Sequence, residues 1–501
     1  MSSWIDDLMR MIGLGGTPKS EPPAQEKAKK GHVEIEHLRE RHNKTEDALA
    51  SGVPGTAQNR SRRSTGYMLI VGLDFGTAYT KCIVRDAMVR DPGKAYPVAF
   101  NLVGGKTYLF PSVVIRSQSQ LLTARDTSLG SHTEVVDFLK MRLVSEVDGE
   151  RAAAWRSVDS GTSVRAIVAW FFGQVLAEVG RECRSRWSDF GEHPEDSFFV
   201  NTCVPIAYAD GSRVEGALLD SLCAARVTMG AAGVNAPTIE EIESALADPE
   251  RLATARDWCY TYPETSANLQ SYLKSRARQP GLYLFLDVGA GTVDLTFFQL
   301  MSDGSDEAPL RYYHASVLDA GSSRLELKAV QIDSSLSPFE VLSFKEGREH
   351  RASMRLKQAF ERACLEIHNE VGKGVGDGVS VTESKLHKDR DMQLRQMKRV
   401  QLMFAGGGFL HNPYELAARF FQKARKWDTQ APMHPLPEPD DIEWRRQTPP
   451  IPFSRLSVAY GLSFARYELD GHRFPGETRV NPDAPIRPPR EQVVAPTKDD
   501  V

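Results

Sequence analysis

The chain lacks the features that mark membrane-spanning, zinc-binding and nucleic-acid-binding proteins. No apolar run approaches the roughly 20 residues that a membrane-spanning helix needs. The 62 lysine and arginine residues nearly balance the 66 acidic residues, so a net charge of −4 gives little attraction to nucleic acid or an anionic membrane. The six cysteines form no C-x-x-C pair, which disfavours a zinc site and is typical of buried, reduced thiols. The sequence therefore predicts a cytoplasmic protein whose partners are neither membranes nor nucleic acids.

The two ends of the chain differ in composition from its middle. Near the N-terminus, apolar side chains recur at helical spacing, at Trp4, Ile5, Leu8 and Ile12. Residues 4–12 therefore predict either a short helix that docks in the groove of a partner protein, or a frayed terminus. Residues 17–64 are polar and charged and predict a disordered tether, and the proline-rich C-terminal end predicts a disordered tail. The predicted divisions are 1–66 for helix and tether, 67–270 for a first lobe, 271–468 for a second lobe and 469–501 for the tail.

Two strand–turn–strand segments share one pattern. In residues 69–84 (LIVGLDFGTAYTKCIV) and 282–296 (LYLFLDVGAGTVDLT), an apolar run ends in an acid followed by glycine and threonine. Each predicts a buried strand that turns tightly into a second strand. Glycine lets the backbone approach an anion closely, and an acid at a strand end suits a hydrated Mg²⁺. The turn positions are Asp74, Gly76 and Thr77 in the first segment, and Asp287, Gly289, Gly291 and Thr292 in the second.

A third strand in residues 400–413 runs into Gly406, Gly407 and Gly408 without an acid. One such hairpin alone could be a structural β-turn. Two hairpins and a glycine triple, in this order, resemble the phosphate-1, phosphate-2 and adenosine motifs of the superfamily of actins, DnaK-type heat-shock chaperones and sugar kinases. The resemblance covers about residues 67–468. It implies an α/β, duplicated actin-like (ribonuclease-H-like) fold of two lobes, with mixed five-stranded sheets, helices on their faces and ATP with Mg²⁺ in the central cleft.

The resemblance also implies catalytic roles for five residues. Asp74 and Asp287 would hold the hydrated Mg²⁺, and Asp294 would support the second hairpin and the general base. Residues 138–143 (FLKMRL) resemble the chaperone segment that carries a catalytic lysine, which indicates Lys140. Residues 262–267 (YPETSA) resemble the segment that orients the attacking water, but Tyr262 stands at the glutamate position and Glu264 lies two residues later. Because a small displacement can slow a reaction strongly, we expect slow or partner-dependent hydrolysis.

Nucleotide-binding roles follow from the same resemblance. Thr77 and Thr292 would donate hydrogen bonds to phosphate oxygens, and Lys81 matches a phosphate-binding lysine of actins rather than of chaperones. Glu361 matches the acid that holds the ribose, whereas Cys364 replaces the lysine beside it. The glycines assigned to the nucleotide are Gly76, Gly289 and Gly291 in the hairpins, Gly321 in a following turn, and Gly406 and Gly407 against the purine.

The leading interpretation is a DnaK-like ATP-binding protein that hydrolyses ATP slowly and acts as a switch on a dedicated protein partner. We expect no β-rich substrate-binding domain after the second predicted lobe, because residues 469–501 are rich in proline and charge. One alternative is an actin-like, filament-forming ATPase, in keeping with Lys81. Another is a scaffold that binds ATP without cleaving it, in keeping with Tyr262 and Cys364. Oligomerisation is compatible with all three.

Four further segments carry structural expectations. Residues 166–187 predict an amphipathic helix, and residues 236–257 predict a helical, acid-rich insertion. Residues 372–378 (GKGVGDG) predict a flexible turn. Residues 455–466 predict a helix in which Ala459 and Gly461 allow close packing at a hinge.

Overall fold

The structure is a computed structural model, and it describes residues 66–88, 93–102, 105–117, 120–126, 134–148, 162–193, 195–209, 211–229, 235–301, 309–346, 352–386, 399–408, 412–424, 436–469 and 471–476. The predicted N-terminal helix and tether, and most of the predicted tail, lie outside these residues. The described chain is a mixed α/β protein. None of its helices combines the length and the apolar character needed to cross a bilayer.

The strands are β1 (Met68–Phe75), β2 (Tyr79–Asp86), β3 (Ala95–Pro97), β4 (Phe100–Leu102), β5 (Gly105–Thr107), β6 (Phe110–Pro111), β7 (Val114–Ser117), β8 (Gln120–Leu122), β9 (Glu134–Val136), β10 (Ser197–Val204), β11 (Cys259–Pro263), β12 (Gly281–Val288), β13 (Val293–Leu300), β14 (Leu310–Leu318), β15 (Gln401–Ala405) and β16 (His472–Arg473). The α-helices are α1 (Leu139–Asp148), α2 (Val164–Arg186), α3 (Arg213–Thr228), α4 (Ile239–Leu246), α5 (Pro249–Ala255), α6 (Glu264–Asn268), α7 (Gln270–Leu273), α8 (Arg324–Ile332), α9 (Pro338–Lys345), α10 (Met354–Leu386), α11 (Asn412–Ala424) and α12 (Ser457–Leu462).

Two mixed sheets repeat one strand pattern. The first has the order β11–β10–β1–β2–β3, with short β6 also pairing with β2, and the second has the order β15–β12–β13–β14–β16. In each sheet a hairpin of two eight-residue strands is extended antiparallel on one side. A later strand pairs in parallel with the first strand of the hairpin on the other side. Both predicted strand–turn–strand segments are confirmed as these central hairpins.

The hairpin strands are apolar because both faces of each sheet are covered. All residues of β1 except Met68, and all of β12 except Gly281, are buried. Such continuous burial explains why these strands read as apolar runs rather than as alternating patterns. Of the six cysteines, five are buried and none forms a disulfide, as the sequence predicted.

Helix α2 is present where a helix was predicted, but it is not amphipathic. Every position from Ala166 to Gly180 except Gln174 is buried. The predicted insertion forms α4 and α5. Pro237, just before α4, packs on α2, where a Cβ at Gly173 would overlap the proline ring. The helix therefore has protein on sides that the sequence pattern assigned to solvent.

The flexible turn predicted at residues 372–378 is wrong. Helix α10 runs through this stretch without a break. A Cβ at Gly374 would lie 2.7 Å from a methyl carbon of Leu318, and one at Gly378 would lie 2.7 Å from the ring of Phe297. These glycines allow the helix to pack closely on the second sheet, which offsets their intrinsic cost of about 1 kcal/mol each in a helix.

Close packing of the last helix was predicted from Ala459 and Gly461, and it is confirmed, although α12 is shorter than expected. A Cβ at Gly461 would collide with the carbonyl of Ala267 on α6. A Cβ at Gly72 on β1 would collide with the carbonyl of Ala459. Helix α12 therefore joins β1 to α6, two elements that both border the cleft described next.

Candidate functional site

A cleft of about 330 Å³ lies where the two central hairpins turn. The β1–β2 turn, the β12–β13 turn and the glycine triple after β15 all contribute to its wall, together with parts of α1, α6, α8 and α9. The predicted site residues that line it are Asp74, Gly76, Thr77, Lys81, Lys140, Glu264, Asp287, Gly289, Thr292, Asp294, Gly406 and Gly407. Residues that are far apart in the sequence thus meet in one cavity.

Two predicted glycines, Gly291 and Gly321, are not among the residues that line the cleft. The amide of Gly321 donates a hydrogen bond to the carbonyl of Gly291 at 3.1 Å, and the amide of Ser322 donates to the carbonyl of Gly289 at 2.9 Å. A Cβ at Gly321 would collide with the backbone of Gly291. These glycines therefore allow the turn after β14 to pack closely on the β12–β13 turn and to hold it in place through two backbone hydrogen bonds.

Glu361, predicted to contact the ribose, lies half-buried on α10 and is not on the cleft wall. Glu326 on α8 and Lys345 on α9 line the cleft, and they form an ion pair. Their side chains are only 9 % and 6 % exposed, and Lys345 also donates to the carbonyl of Ser322 at 3.0 Å. Sequence reasoning missed this pair because its members lie on different helices and no motif joins them. The capping box at Ser337 was the available signal for the start of α9.

The first hairpin places a lysine beside its acid. Asp74 and Lys81 are register partners across β1 and β2, and the Lys81 Nζ lies 2.7 Å from Asp74 Oδ2. A Cβ at Gly76 would lie 3.2 Å from the Lys81 Nζ, so glycine leaves room for the ammonium group at the turn. An acid and a cation therefore both face the cavity from one hairpin.

A second ion pair joins two predicted catalytic residues. Lys140 is in the first turn of α1, and Glu264 is the first residue of α6. The distance from Lys140 Nζ to Glu264 Oε2 is 2.6 Å. The side chains are only 14 % and 12 % exposed. Burial is the largest single influence and would lower the pKa of Lys140, but the charge and hydrogen bond of Glu264, together with the charges of Cys203 and Asp294, outweigh it and raise that pKa. Tyr262, at the glutamate position of the chaperones, is buried and does not line the cleft.

The second hairpin contributes two buried carboxyl groups. Asp287 and Asp294 are register partners across β12 and β13. Asn268 donates through Nδ2 to Asp287 Oδ2 at 2.6 Å, and Ser457 donates to the Asn268 Oδ1 at 2.5 Å. The Oδ1 of Asp294 is buried without a hydrogen-bond partner among the described residues. Asn268 was missed from sequence, although it lies four residues after Glu264 and thus on the same helix face.

The pKa values of both carboxyl groups are raised. Burial, with the charges of Glu264 and Asp74 added, raises the pKa of Asp287 to about 7, while Lys81 and Lys140 oppose the change. Burial and then Glu264 raise the pKa of Asp294 well above its ordinary value. Without a bound cation, the cleft therefore favours protons on Asp287 and Asp294.

One described set of side chains could place three ligand atoms around a metal ion. One ligand atom each from Asp74, Cys203 and Glu264 lie within 4.8 Å of one another. Burial, followed by the charge of Glu264, raises the pKa of Cys203 well above its ordinary value. Because the thiolate rather than the thiol binds metals, the donor set at neutral pH consists of carboxylate oxygens, which suit hard cations.

No protein-family model matches the chain, and no curated protein sequence is significantly similar to it.

Proposed function

We propose that the protein binds ATP with Mg²⁺ in this cleft, hydrolyses it slowly, and acts as a nucleotide-dependent switch on a dedicated protein partner. The observation that carries the proposal is the meeting of both hairpin turns and the glycine triple on one cavity wall. Backbone turns rich in glycine can approach phosphates closely, and acids at the same turns can hold a hydrated cation. Residues 4–12, outside the described chain, are the proposed docking segment for the partner.

The repeated strand pattern supports a duplicated actin-like fold for the proposed ATPase. Each sheet has a central antiparallel hairpin and a parallel strand beside the first hairpin strand. The turns of both hairpins face the cleft. Since one nucleotide would then contact both halves, its hydrolysis would change their relative angle by hinge motion. We propose helix α12, whose Gly461 packs against Ala267 of α6, as the hinge.

The side chains present fit a nucleotide with a hydrated Mg²⁺. Asp74 and Asp287 would hold the cation through water, and Thr77 and Thr292 would donate to phosphate oxygens. The unpartnered Oδ1 of Asp294 can accept a hydrogen bond from a water in the cleft. Bound Mg²⁺ supplies charge neutralisation for the β- and γ-phosphates. Lys140 would add a positive charge near the same place, since phosphoryl transfer depends on positioning and charge stabilisation.

A non-hydrolysing scaffold is the second candidate, and one contact favours it. Lys140 and Glu264 neutralise each other at 2.6 Å. In this arrangement Glu264 is held by a cation rather than directed at a water. Hydrolysis would require the pair to separate, either on ATP binding or with the help of the partner.

The proposal is tested by measuring Mg²⁺-dependent ATP binding and ATP turnover on the purified full-length chain. The Asp287→Ala variant should lose Mg²⁺-dependent turnover, whereas the exposed control Asp333→Asn should behave as wild type. Binding without turnover in the wild type would favour the scaffold. ATP-dependent pelleting would favour the actin-like filament. A well-folded wild type that neither binds nor cleaves ATP would refute the proposal.

A further inference from the structure

The positive charges of the cleft are not equally available to a ligand. Three lysines line the cavity, and each forms an ion pair with a carboxylate of the same wall. These pairs are Lys81 with Asp74, Lys140 with Glu264, and Lys345 with Glu326. An anion that recruited one of these lysines would leave a nearly buried carboxylate without its partner, which is costly.

Arg455 is different. It lines the same cleft, and its guanidinium forms no ion pair or side-chain hydrogen bond with a described residue. Its guanidinium carbon lies 5.8 Å from the ring centroid of Tyr79, the first residue of β2 after the first hairpin turn. A Cβ at Gly407 would lie 3.1 Å from the Arg455 Nε and 3.4 Å from Nη2. The guanidinium therefore lies between the glycine triple and the first hairpin turn.

The backbone at Arg455 is held in place on both sides. Arg455 ends a short 3-10 turn whose first residue, Phe453, is 5 % exposed, and the following Leu456 is fully buried. The amide of Arg455 donates to the carbonyl of Pro452 at 3.0 Å. A fixed backbone reduces the freedom that the side chain loses when a ligand binds. Because residue 407 is a glycine, no Cβ crowds the guanidinium of Arg455.

We propose that Arg455 binds the phosphate chain of the nucleotide and is a principal determinant of selectivity for nucleoside di- and triphosphates over the nucleoside. This inference rests on the proposed function and adds a residue to it. A guanidinium presents a planar fork of donors that matches phosphate oxygens in a bidentate manner, which an ammonium group cannot reproduce. Because Arg455 lacks a carboxylate partner among the described residues, a phosphate can pair with its guanidinium without breaking an existing ion pair.

The test compares Arg455→Gln, Arg455→Lys and the control Arg466→Gln in the full-length protein. Arg466 is also an arginine over a tyrosine ring, 4.5 Å from the centroid of Tyr260, but it does not line the cleft. Affinities for ATP, ADP and adenosine are measured by titration calorimetry in the presence of Mg²⁺. Thermal melts of each variant establish that it is folded.

We expect Arg455→Gln to weaken ATP and ADP binding by about tenfold to a hundredfold, the range for a lost hydrogen bond to a charged group. Adenosine affinity should change less than about threefold, Arg455→Lys should fall between wild type and glutamine, and Arg466→Gln should match wild type. An equal loss for adenosine and ATP would overturn the inference, since it would indicate contact with the base. Unchanged ATP affinity in Arg455→Gln would also overturn it while leaving the proposed function intact. A wild type that binds no ATP would instead refute the proposed function itself.

Discussion

The Asp287→Asn variant should gain stability relative to the wild type as the pH rises, although it removes a proposed metal ligand. The Asp287 carboxyl is buried, and the neighbouring charges of Glu264 and Asp74 outweigh the opposing ones of Lys81 and Lys140. In the protein without nucleotide or metal, these surroundings favour the neutral form of the acid. Asparagine has the same shape, is neutral at every pH and can still accept the hydrogen bond from Asn268.

The size of the effect follows from the two pKa values of Asp287. The folded protein holds this proton with a pKa of about 7, whereas the ordinary value is 3.8. Because the folded-state pKa is the higher one, protonation stabilises the fold at low pH. This contribution is lost as the pH rises through about 7. Between pH 5 and pH 8 the wild type should lose about 3 kcal/mol of unfolding free energy that the asparagine variant keeps.

The assay is urea denaturation of both proteins at several pH values from 5 to 8, with a chelator present and no nucleotide. The free energy of unfolding of the variant minus that of the wild type should increase by about 3 kcal/mol over this range. Added Mg²⁺ should reduce the difference at pH 8, because a cation held by Asp287 favours its ionised form. The charge of Asp287 also raises the pKa of Asp294, so the difference between the two proteins reports the interacting pair of carboxyl groups rather than Asp287 alone.

The Asp333→Asn variant serves as the control. Hydrogen bonds from Ser335 lower the pKa of this exposed acid, so it stays ionised across the tested range. Its stability curve should therefore run parallel to that of the wild type. A stability difference between Asp287→Asn and wild type that does not change with pH would refute the reasoning about burial and charge in the cleft.

Three further variants test the packing around the site by urea denaturation and ATP titration. Gly406 has φ 81°, and an added Cβ would lie 2.7 Å from the Val288 carbonyl carbon, so Gly406→Ala should lower the free energy of unfolding by over 2 kcal/mol and weaken ATP binding. Its control is Gly211→Ala, which has a similar φ of 72° but open space around it and should lower that free energy by only about 1 kcal/mol. Gly461→Ala should destabilise by about 3 kcal/mol, whereas Gly216→Ala, in open space on α3, should stabilise by up to about 1 kcal/mol. Lys140→Met should destabilise by about 3 kcal/mol, because it leaves a nearly buried carboxylate unpaired, and should abolish turnover.

The hairpins could be predicted because their signals are local. An apolar run, an acid and glycines within a dozen residues define β12 and its turn, and the same pattern defines β1. Helix α10 shows the limit of this reasoning. In the sequence alone, Gly374 and Gly378 indicate a turn between two elements, but in the fold they allow α10 to contact the second sheet closely. The partner surface decides whether a glycine breaks or permits a helix.

The ion pairs of the cleft could not be predicted for a related reason. Glu326 and Lys345 come from different helices, and Lys140 and Glu264 are 124 residues apart in the sequence. No periodicity or spacing in the sequence predicts such pairs, because the residues come into contact only after the strands have paired. Arg455 was visible only as the start of a predicted helix, since its relation to Gly407 depends on where α12 packs.

The charge balance of the cleft constrains any ligand that enters it. Acids outnumber cations on the described wall, with Asp74, Glu264, Asp287, Asp294, Glu326 and Glu346 against Lys81, Lys140, Lys345 and Arg455. A nucleotide triphosphate adds further negative charge, which in a poorly solvated cleft is repelled strongly. Protons on Asp287 or a divalent cation must therefore accompany it. Because Asp287 ionises as the pH rises above about 7, we expect the dependence of ATP affinity on Mg²⁺ to increase with pH. This increase should be smaller in Asp287→Asn, which carries no charge at this position at any pH.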